Sequence, residues 1–210
     1  GFGIVGVCPQ ARVIGAKIFP NPYFSISAAA IYYAVDRGAR VINMSWGGAF
    51  PSRAIEEALQ YAADRGVTLV ASMGNSGRDE VFYPSGYATT IGAGSSDARD
   101  RLSRFSTYND FVDVIAPGED ILSLRAAGTD LYADVGEPGV HVVDGDYLIA
   151  SGTSMAAPHV AGAAATLLAL APGLSSQRLR EILRASADDI IDPFDNDSLH
   201  LPGPDRHTGA

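Results

Sequence analysis

The sequence predicts one α/β domain in three layers, a mainly parallel, twisted sheet between helices on both faces. Three observations carry this reading. The 210 residues, 47% of them hydrophobic, suffice for one domain with a sizeable core and are short for two. Strand-like and helix-like stretches alternate along the chain. One strand-like stretch, Val67-Thr68-Leu69-Val70-Ala71, is almost continuously apolar, as a parallel strand buried on both faces must be.

The elements follow in order. Val13 to Phe19 reads as a strand stopped by Pro20-Asn21-Pro22. Ser27 is placed to cap a helix over Ala28 to Asp36, with Ile31, Ala34 and Val35 at helical spacing and Gly38 ending it. Ala39 to Ser45 is the next strand. Pro51-Ser52 opens a second helix with Ile55, Ala58, Leu59 and Ala62 along one face, ending near Gly66. After the strand at 67–71, Thr89 to Ala93 and Phe111 to Ile115 also read as strands, the latter stopped by Ala116-Pro117-Gly118. The looser, acidic stretch from Ala126 to Asp146 reads as surface hairpins. The longest apolar helix runs from about Ser154 to Ala169 and is followed by Pro172-Gly173. Ser175-Ser176-Gln177 then caps an amphipathic helix whose buried side carries Leu179, Ile182 and Leu183. Beyond Asp188 the chain is acidic and rich in turn formers.

Composition narrows the function classes. A net charge of −9 argues against a nucleic-acid or acidic-membrane surface. No run approaches the roughly 20 apolar residues of a membrane span. The single cysteine, Cys8, cannot form an internal disulfide. The chain opens Gly1-Phe2-Gly3 with neither initiator methionine nor signal peptide, so an incomplete chain is expected. Those first residues continue to Gly6 as G-x-G-x-x-G, the dinucleotide fingerprint. That fingerprint needs a strand before it and a helix after it; here Val7-Cys8-Pro9 follows, and proline opposes a helix.

In sheets of this kind chemistry gathers beyond the carboxyl ends of the strands, which directs attention to Ser45-Trp46-Gly47-Gly48 and to Gly74-Asn75-Ser76-Gly77. The most specific stretch lies later, Gly152-Thr153-Ser154-Met155-Ala156-Ala157-Pro158-His159-Val160-Ala161-Gly162. It places Ser154 in the first turn of a helix, where backbone amides and the dipole favour developing negative charge. Ala156, Ala157, Ala161, Gly162, Ala163 and Ala164 are small enough to press that helix into a core. Read alone, Ser154 could equally be a capping serine, Asn75 a turn residue, and Ser45 to Gly48 a plain strand-to-loop turn.

The stretch from Gly152 to Gly162 resembles the nucleophile motif of the subtilisin-like serine proteases, the subtilases of peptidase family S8. The resemblance extends to Val70-Ala71-Ser72-Met73-Gly74-Asn75-Ser76-Gly77, similar to the segment holding the family's oxyanion-hole asparagine. It extends also to Val41-Ile42-Asn43-Met44-Ser45-Trp46-Gly47-Gly48, similar to its substrate-binding strand and pocket wall. Tyr83-Pro84-Ser85, Phe111 to Gly118, and Gly6 to Lys17 match further family segments in the family's order, so that residues 3–186 are covered and 187–210 form an incomplete C-terminal segment. The resemblance implies a three-layer subtilisin-like fold in which Ser154 attacks a peptide carbonyl and forms an acyl-enzyme. It implies that Asn75 and the Ser154 amide stabilise the oxyanion. It implies that Ser45, Trp46, Gly47, Gly48, Ser72, Met73 and Gly74 bind a protein or peptide substrate in extended conformation.

The family's base and its orienting carboxylate sit in Asp-[Ser/Thr]-Gly and His-Gly-[Thr/Ser]-His motifs, and neither occurs in the chain. By that resemblance a missing N-terminal segment of the same protein is expected, and the chain alone is expected to be inactive. The other reading is an inactive relative that binds peptides or proteins. His159 lies five residues beyond Ser154 on the same helix, about 500° of turn, so its side chain points elsewhere. His141 lies in the acidic hairpin stretch, His200 and His207 in the tail.

Further expectations concern specificity and ions. Tyr23 and Phe24 stand where the family has a glycine-containing substrate strand and are candidates to wall distal pockets. Phe82 falls where many family members keep a small residue near the primary pocket; pointing inward, it would hinder large side chains there. Tyr83-Pro84 is expected to be cis by resemblance. No cofactor is required for the chemistry; structural calcium is compatible with the family, and Asp192, Asp195, Asn196 and Asp197 form an oxygen-rich cluster, with a solvated acidic turn as the alternative. Cys8 is expected to be a buried thiol. Resemblance implies an extracellular or cell-surface location.

Overall fold

A computed structural model describes residues 3–133, 136 and 139–188. The elements in chain order are α1 (Phe24–Asp36), β1 (Val41–Met44), α2 (Arg53–Ala63), β2 (Thr68–Ser72), β3 (Thr90–Ser96), β4 (Val112–Pro117), β5 (Ile121–Leu124), β6 (Val142–Val143), β7 (Tyr147–Ala150), α3 (Thr153–Leu170) and α4 (Ser176–Ala185). Strands β1-β2-β3-β4 form one parallel sheet in that order. Strands β5, β7 and β6 form a smaller antiparallel sheet beside it.

The layers follow from alternation along β2, which is buried at every position. Leu69 and Ala71 face one core with Ile31 and Val35 of α1 and Ala58 and Leu59 of α2. Val70, one residue out of phase, faces the other with Ala157, Val160 and Ala164 of α3 and Leu179 of α4. The run of small residues in α3 lets this helix cross against all four strands β1–β4. Its 18 residues are long and apolar enough for a membrane span by length and composition alone, but its buried face belongs to this core. Ser175 caps α4 as expected, accepting from the Arg178 amide at 3.2 Å.

Three expectations are corrected. Val13 to Phe19 forms no strand; Val13 is 90% exposed, and residues 11–18 carry no regular structure. A cleft of about 1640 Å³ is bounded by this segment on one side and by β1 and parts of α1 and α3 on the other. A strand needs a neighbour's hydrogen bonds, and alternating side chains do not supply them. Ser27 is not a cap. Helix α1 starts at Phe24 after an extended Tyr23, and Ser27 lies buried inside it, its hydroxyl without a partner. The stretch 126–146 is less regular than expected: among its described residues only β6 is a strand, turning through Asp144 and Gly145, both at positive φ, into β7. Cys8, expected to be buried, is free and only half-buried.

Asp113 fastens α4 to the sheet. It is 1% exposed, accepts the Gly92 amide at 2.9 Å, and pairs with the Arg180 guanidinium at 2.6 Å. Asp113→Ala leaves that amide unpaired and removes a charge-assisted bond, an expected loss of about 3 kcal/mol. A fall in the urea midpoint at constant m checks this, and a midpoint shift worth under about 0.5 kcal/mol would contradict it.

The turn leaving β3 is closed by Asp97 and Arg101, whose side chains meet at 2.8 Å. The Arg101 guanidinium, helped by the Arg99 and Arg101 amides, holds the Asp97 carboxyl down at about 2, against an ordinary 3.8. A depressed carboxyl stabilises the fold above its unfolded value and ceases to do so as pH falls through its folded value. The acid loss attributable to Asp97 therefore falls between pH 3.8 and about 2. Acid titration of Asp97→Asn, followed by circular dichroism, is expected to be flatter in that window; an identical profile would contradict the assignment.

Candidate active site

Two chain segments leave the carboxyl edge of the parallel sheet side by side, and the N-terminus of α3 meets them. Strand β1 pairs with β2 as far as Met44 opposite Ala71, after which Ser45-Trp46-Gly47 runs on. Strand β2 ends at Ser72 and gives way to Met73-Gly74-Asn75. Helix α3 begins at Thr153, making Ser154 its second residue.

Hydrogen bonds lock the three together. The Ser45 hydroxyl donates to the Ser154 carbonyl at 2.7 Å and accepts from the Asn43 amide nitrogen at 3.0 Å. Ser154 Oγ is half-buried and reaches the Ser45 carbonyl at 3.4 Å, a long contact that leaves the hydroxyl weakly held. The Asn75 Oδ1 atom accepts twice from Thr153, from its amide and from its hydroxyl oxygen, each at 2.9 Å. Thr153 Oγ1 in turn accepts from the Gly74 amide at 3.1 Å. Since Oδ1 is fixed on Thr153, the exposed Asn75 side chain must turn its Nδ2 donor the other way. On the far side, the Thr107 amide donates to the Gly74 carbonyl at 3.0 Å, and Thr107 Oγ1 accepts from the Ser76 amide at 3.1 Å.

Gly152 is required where it stands. Its φ of +153° belongs to glycine, and a Cβ there would lie 3.2 Å from Asn75 Nδ2. The helix thus starts within reach of the carboxamide, and its first amides and dipole point out of the same end.

Not every expected residue arrives in this cluster. Ser45, Gly74, Asn75 and Ser154 do, with Gly47 at its margin. Ser72 and Met73 are 2% and 0% exposed, so their side chains belong to the core rather than the site. Gly48 uses its amide and its carbonyl on Tyr83, both bonds 2.8 Å, which leaves its amide no donor for another chain. Trp46 turns toward an aromatic cavity of about 280 Å³ that it shares with Phe19, Phe24, Phe50, Tyr83 and Tyr87. Phe24 walls that cavity, whereas Tyr23 is 66% exposed and does not line it. The Tyr83–Pro84 bond is cis.

Thr153 and Thr107 were not legible as site residues. Their contacts span 78 and 31 positions in sequence, and no local pattern encodes them. The two described histidines are engaged elsewhere. His159 Nδ1 bonds the Met155 carbonyl at 2.8 Å on its own helix. His141 stacks on Tyr132, ring centroids 4.1 Å apart, next to the small sheet. His200 and His207 lie outside the described residues, as does the cluster Asp192, Asp195, Asn196 and Asp197. Among the described residues no three His, Cys, Asp or Glu side chains are grouped to hold a metal ion.

A loosely held serine hydroxyl at a helix N-terminus, beside an oriented carboxamide, is an arrangement suited to acyl transfer. This chain belongs to the subtilase family, whose model matches it over residues 1–210. It is 37% identical over 191 residues to the thermophilic serine proteinase of Bacillus sp. (strain AK1), covering 90% of this chain and 43% of that protein. It is 36% identical over 191 residues to thermitase of Thermoactinomyces vulgaris, covering 90% of this chain and 62% of that one. The fold matches fervidolysin from Fervidobacterium pennivorans, a keratinolytic enzyme related to subtilisin, with a TM-score of 0.79 and 35% identity, over 99% of this chain and 32% of that one. The chain therefore spans less than two thirds of the length of each of these relatives.

Proposed function

We propose that this chain supplies the nucleophile, the oxyanion donors and the substrate strand of a serine endopeptidase. The observation that carries the reading is the pair of hydrogen bonds that Thr153 donates to Asn75 Oδ1, which leaves the Asn75 Nδ2 donor turned away from Thr153. In the reaction, Ser154 Oγ attacks the peptide carbonyl and gives up its proton to a base. The oxyanion takes hydrogen bonds from Asn75 Nδ2 and the Ser154 amide. The base then protonates the leaving amine, and water hydrolyses the acyl-enzyme. The substrate lies extended along Ser45 to Gly47, with the aromatic cavity at Trp46 taking one apolar side chain. No cofactor enters these steps, and bound calcium would serve structure only. We further infer an extracellular or cell-surface location, a reading supported by membership of the family.

The base and its carboxylate come from outside the described residues. This is supported by the hydrogen bond that holds His159 to its own helix and the stacking that holds His141 on Tyr132. The same placement favours a second reading, an inactive relative that binds extended peptides. Incubating the full-length natural polypeptide with an unstructured protein separates the two. Cleavage that disappears in Ser154→Ala is the expected result. Saturable peptide binding without cleavage would establish the second reading instead.

A further inference from the structure

Asn75 is held on both sides of its backbone by a single residue, Thr107. The peptide unit before it presents the Gly74 carbonyl, which accepts from the Thr107 amide at 3.0 Å. The peptide unit after it presents the Ser76 amide, which donates to Thr107 Oγ1 at 3.1 Å. The Ser76 hydroxyl lies 3.0 Å from the same oxygen. Peptide units are planar and two of them meet at each Cα, so fixing both fixes the φ and ψ of Asn75. The approach is close: a Cβ built on Gly74 would lie 3.1 Å from Thr107 Oγ1.

Thr107 is 1% exposed and is itself anchored through a buried row of serine hydroxyls. The Ser95 amide of β3 donates to Ser106 Oγ at 3.1 Å, and Ser95 Oγ lies 2.9 Å from Ser103 Oγ. The Ser103 amide donates to the Ser95 carbonyl, and the Ser106 amide to the Ser103 carbonyl, each at 2.8 Å. All three serines are buried, so the turn that delivers Thr107 is fixed to the sheet. The Phe105 carbonyl, in the same turn, accepts from the Gly77 amide at 2.8 Å and closes the Asn75 loop at its far end.

We propose that Thr107 is a positioning residue of the oxyanion hole, whose hydroxyl keeps the Asn75 Nδ2 donor in place without itself touching substrate. The inference rests on the endopeptidase reading above. Thr153 fixes the far end of the Asn75 side chain through Oδ1, and Thr107 fixes the backbone from which that side chain springs. Gly74 joins the two anchors, giving its amide to Thr153 Oγ1 and its carbonyl to the Thr107 amide. Preorganised donors stabilise an oxyanion because they need not reorganise as its charge develops. Without the Thr107 hydroxyl, the amide of the exposed Ser76 turns to water and the ψ of Asn75 is released. A carboxamide misplaced by about 1 Å forfeits much of its effect on the transition state. The substrate strand from Ser45 to Gly47 is built without this turn, so the loss falls on kcat.

The test is steady-state cleavage of an unstructured peptide by the full-length natural polypeptide, as wild type, Thr107→Val, Thr107→Ser and Asn75→Ala, with Thr107→Val also placed in Asn75→Ala. Valine matches threonine in shape and lacks the hydroxyl. Thr107→Val is expected to lower kcat roughly 10-fold, within the about 10²–10³ lost with an oxyanion donor itself, and to change KM less than about 2-fold. Thr107→Ser restores the hydroxyl and is expected to recover most of the lost kcat. In the Asn75→Ala background the valine substitution is expected to change kcat less than about 2-fold, because the group it positions is gone. A folded Thr107→Val protein with wild-type kcat would overturn the inference, as would Thr107→Ala with wild-type kcat if the valine variant does not fold. An equal loss of kcat with and without the Asn75 side chain would overturn it too, and would leave Thr107 a support of the fold alone. Absence of any cleavage that depends on Ser154 overturns the endopeptidase reading itself, and the positioning inference with it.

Discussion

Ser154→Ala is expected to lower kcat by about 10⁶-fold while leaving the fold almost unchanged. The size is that known for the nucleophile of subtilisin, a relative, where the residual rate comes from binding and the oxyanion hole. The structural side follows from how little holds the hydroxyl: one contact of 3.4 Å to the Ser45 carbonyl, at a half-buried position. Losing it costs at most about 1 kcal/mol of stability. The helix start is fixed by other groups, the Ser45 hydroxyl on the Ser154 carbonyl and Asn75 on Thr153, and alanine at 154 keeps both. Measured kcat and melting temperature together check this. A variant that unfolds, or one that keeps more than a few per cent of its activity, would show that Ser154 serves structure rather than catalysis.

Asn75 carries the second large effect, and there stability and catalysis can be pulled apart. Asn75→Ala removes the Nδ2 donor and also strands two donors of Thr153, a residue with 0% exposure. The expected losses are about 10²–10³ in kcat, the range found on removing one such donor in subtilisin, and about 1–3 kcal/mol of stability. Asn75→Asp is the sharper variant. Its carboxylate still accepts from Thr153, so stability is expected to hold, but it places a negative oxygen where the oxyanion needs a donor. The rate should then fall at least as far as in Asn75→Ala, mainly in kcat, with KM changed less. A fall confined to KM would mean that Asn75 binds substrate without stabilising the transition state.

The layered fold was largely legible because its signal is local. Helix α2 shows its apolar face at Ile55, Ala58, Leu59 and Ala62, and all four are buried. Strand β2 announced burial on both faces by its continuous apolar run, which divides between the two cores. The elements that failed depend on a neighbour. Val13 to Phe19 has the composition of a strand, yet a wide cleft lies between it and β1, and an unpaired segment stays irregular however apolar it is. Strands β5 and β7 were missed for the converse reason. Leu122 and Leu124 are 44% and 54% exposed on a short sheet whose order comes from backbone pairing across 23 to 29 positions.

The site divides in the same way. Ser154 and Asn75 stand in contiguous motifs and could be named from sequence. What orients them could not: Thr153 reaches Asn75 across 78 positions, and Ser45 reaches the Ser154 carbonyl across 109. Gly48 reads as open backbone for a substrate until Tyr83 is seen to take its only donor. Phe82 could be singled out in the sequence, but its direction could not. Only the approach of Gly47 and Gly74 to one ring places it between the two site segments.

The central claim is that Ser154 is the nucleophile. The most direct measurement is to treat the full-length natural polypeptide with a fluorophosphonate and map the adduct by peptide mass spectrometry. A single phosphonyl group on Ser154, formed as proteolysis is lost and absent from Ser154→Ala, is the predicted result. An adduct on another residue, or none in a preparation that cleaves protein, would contradict it.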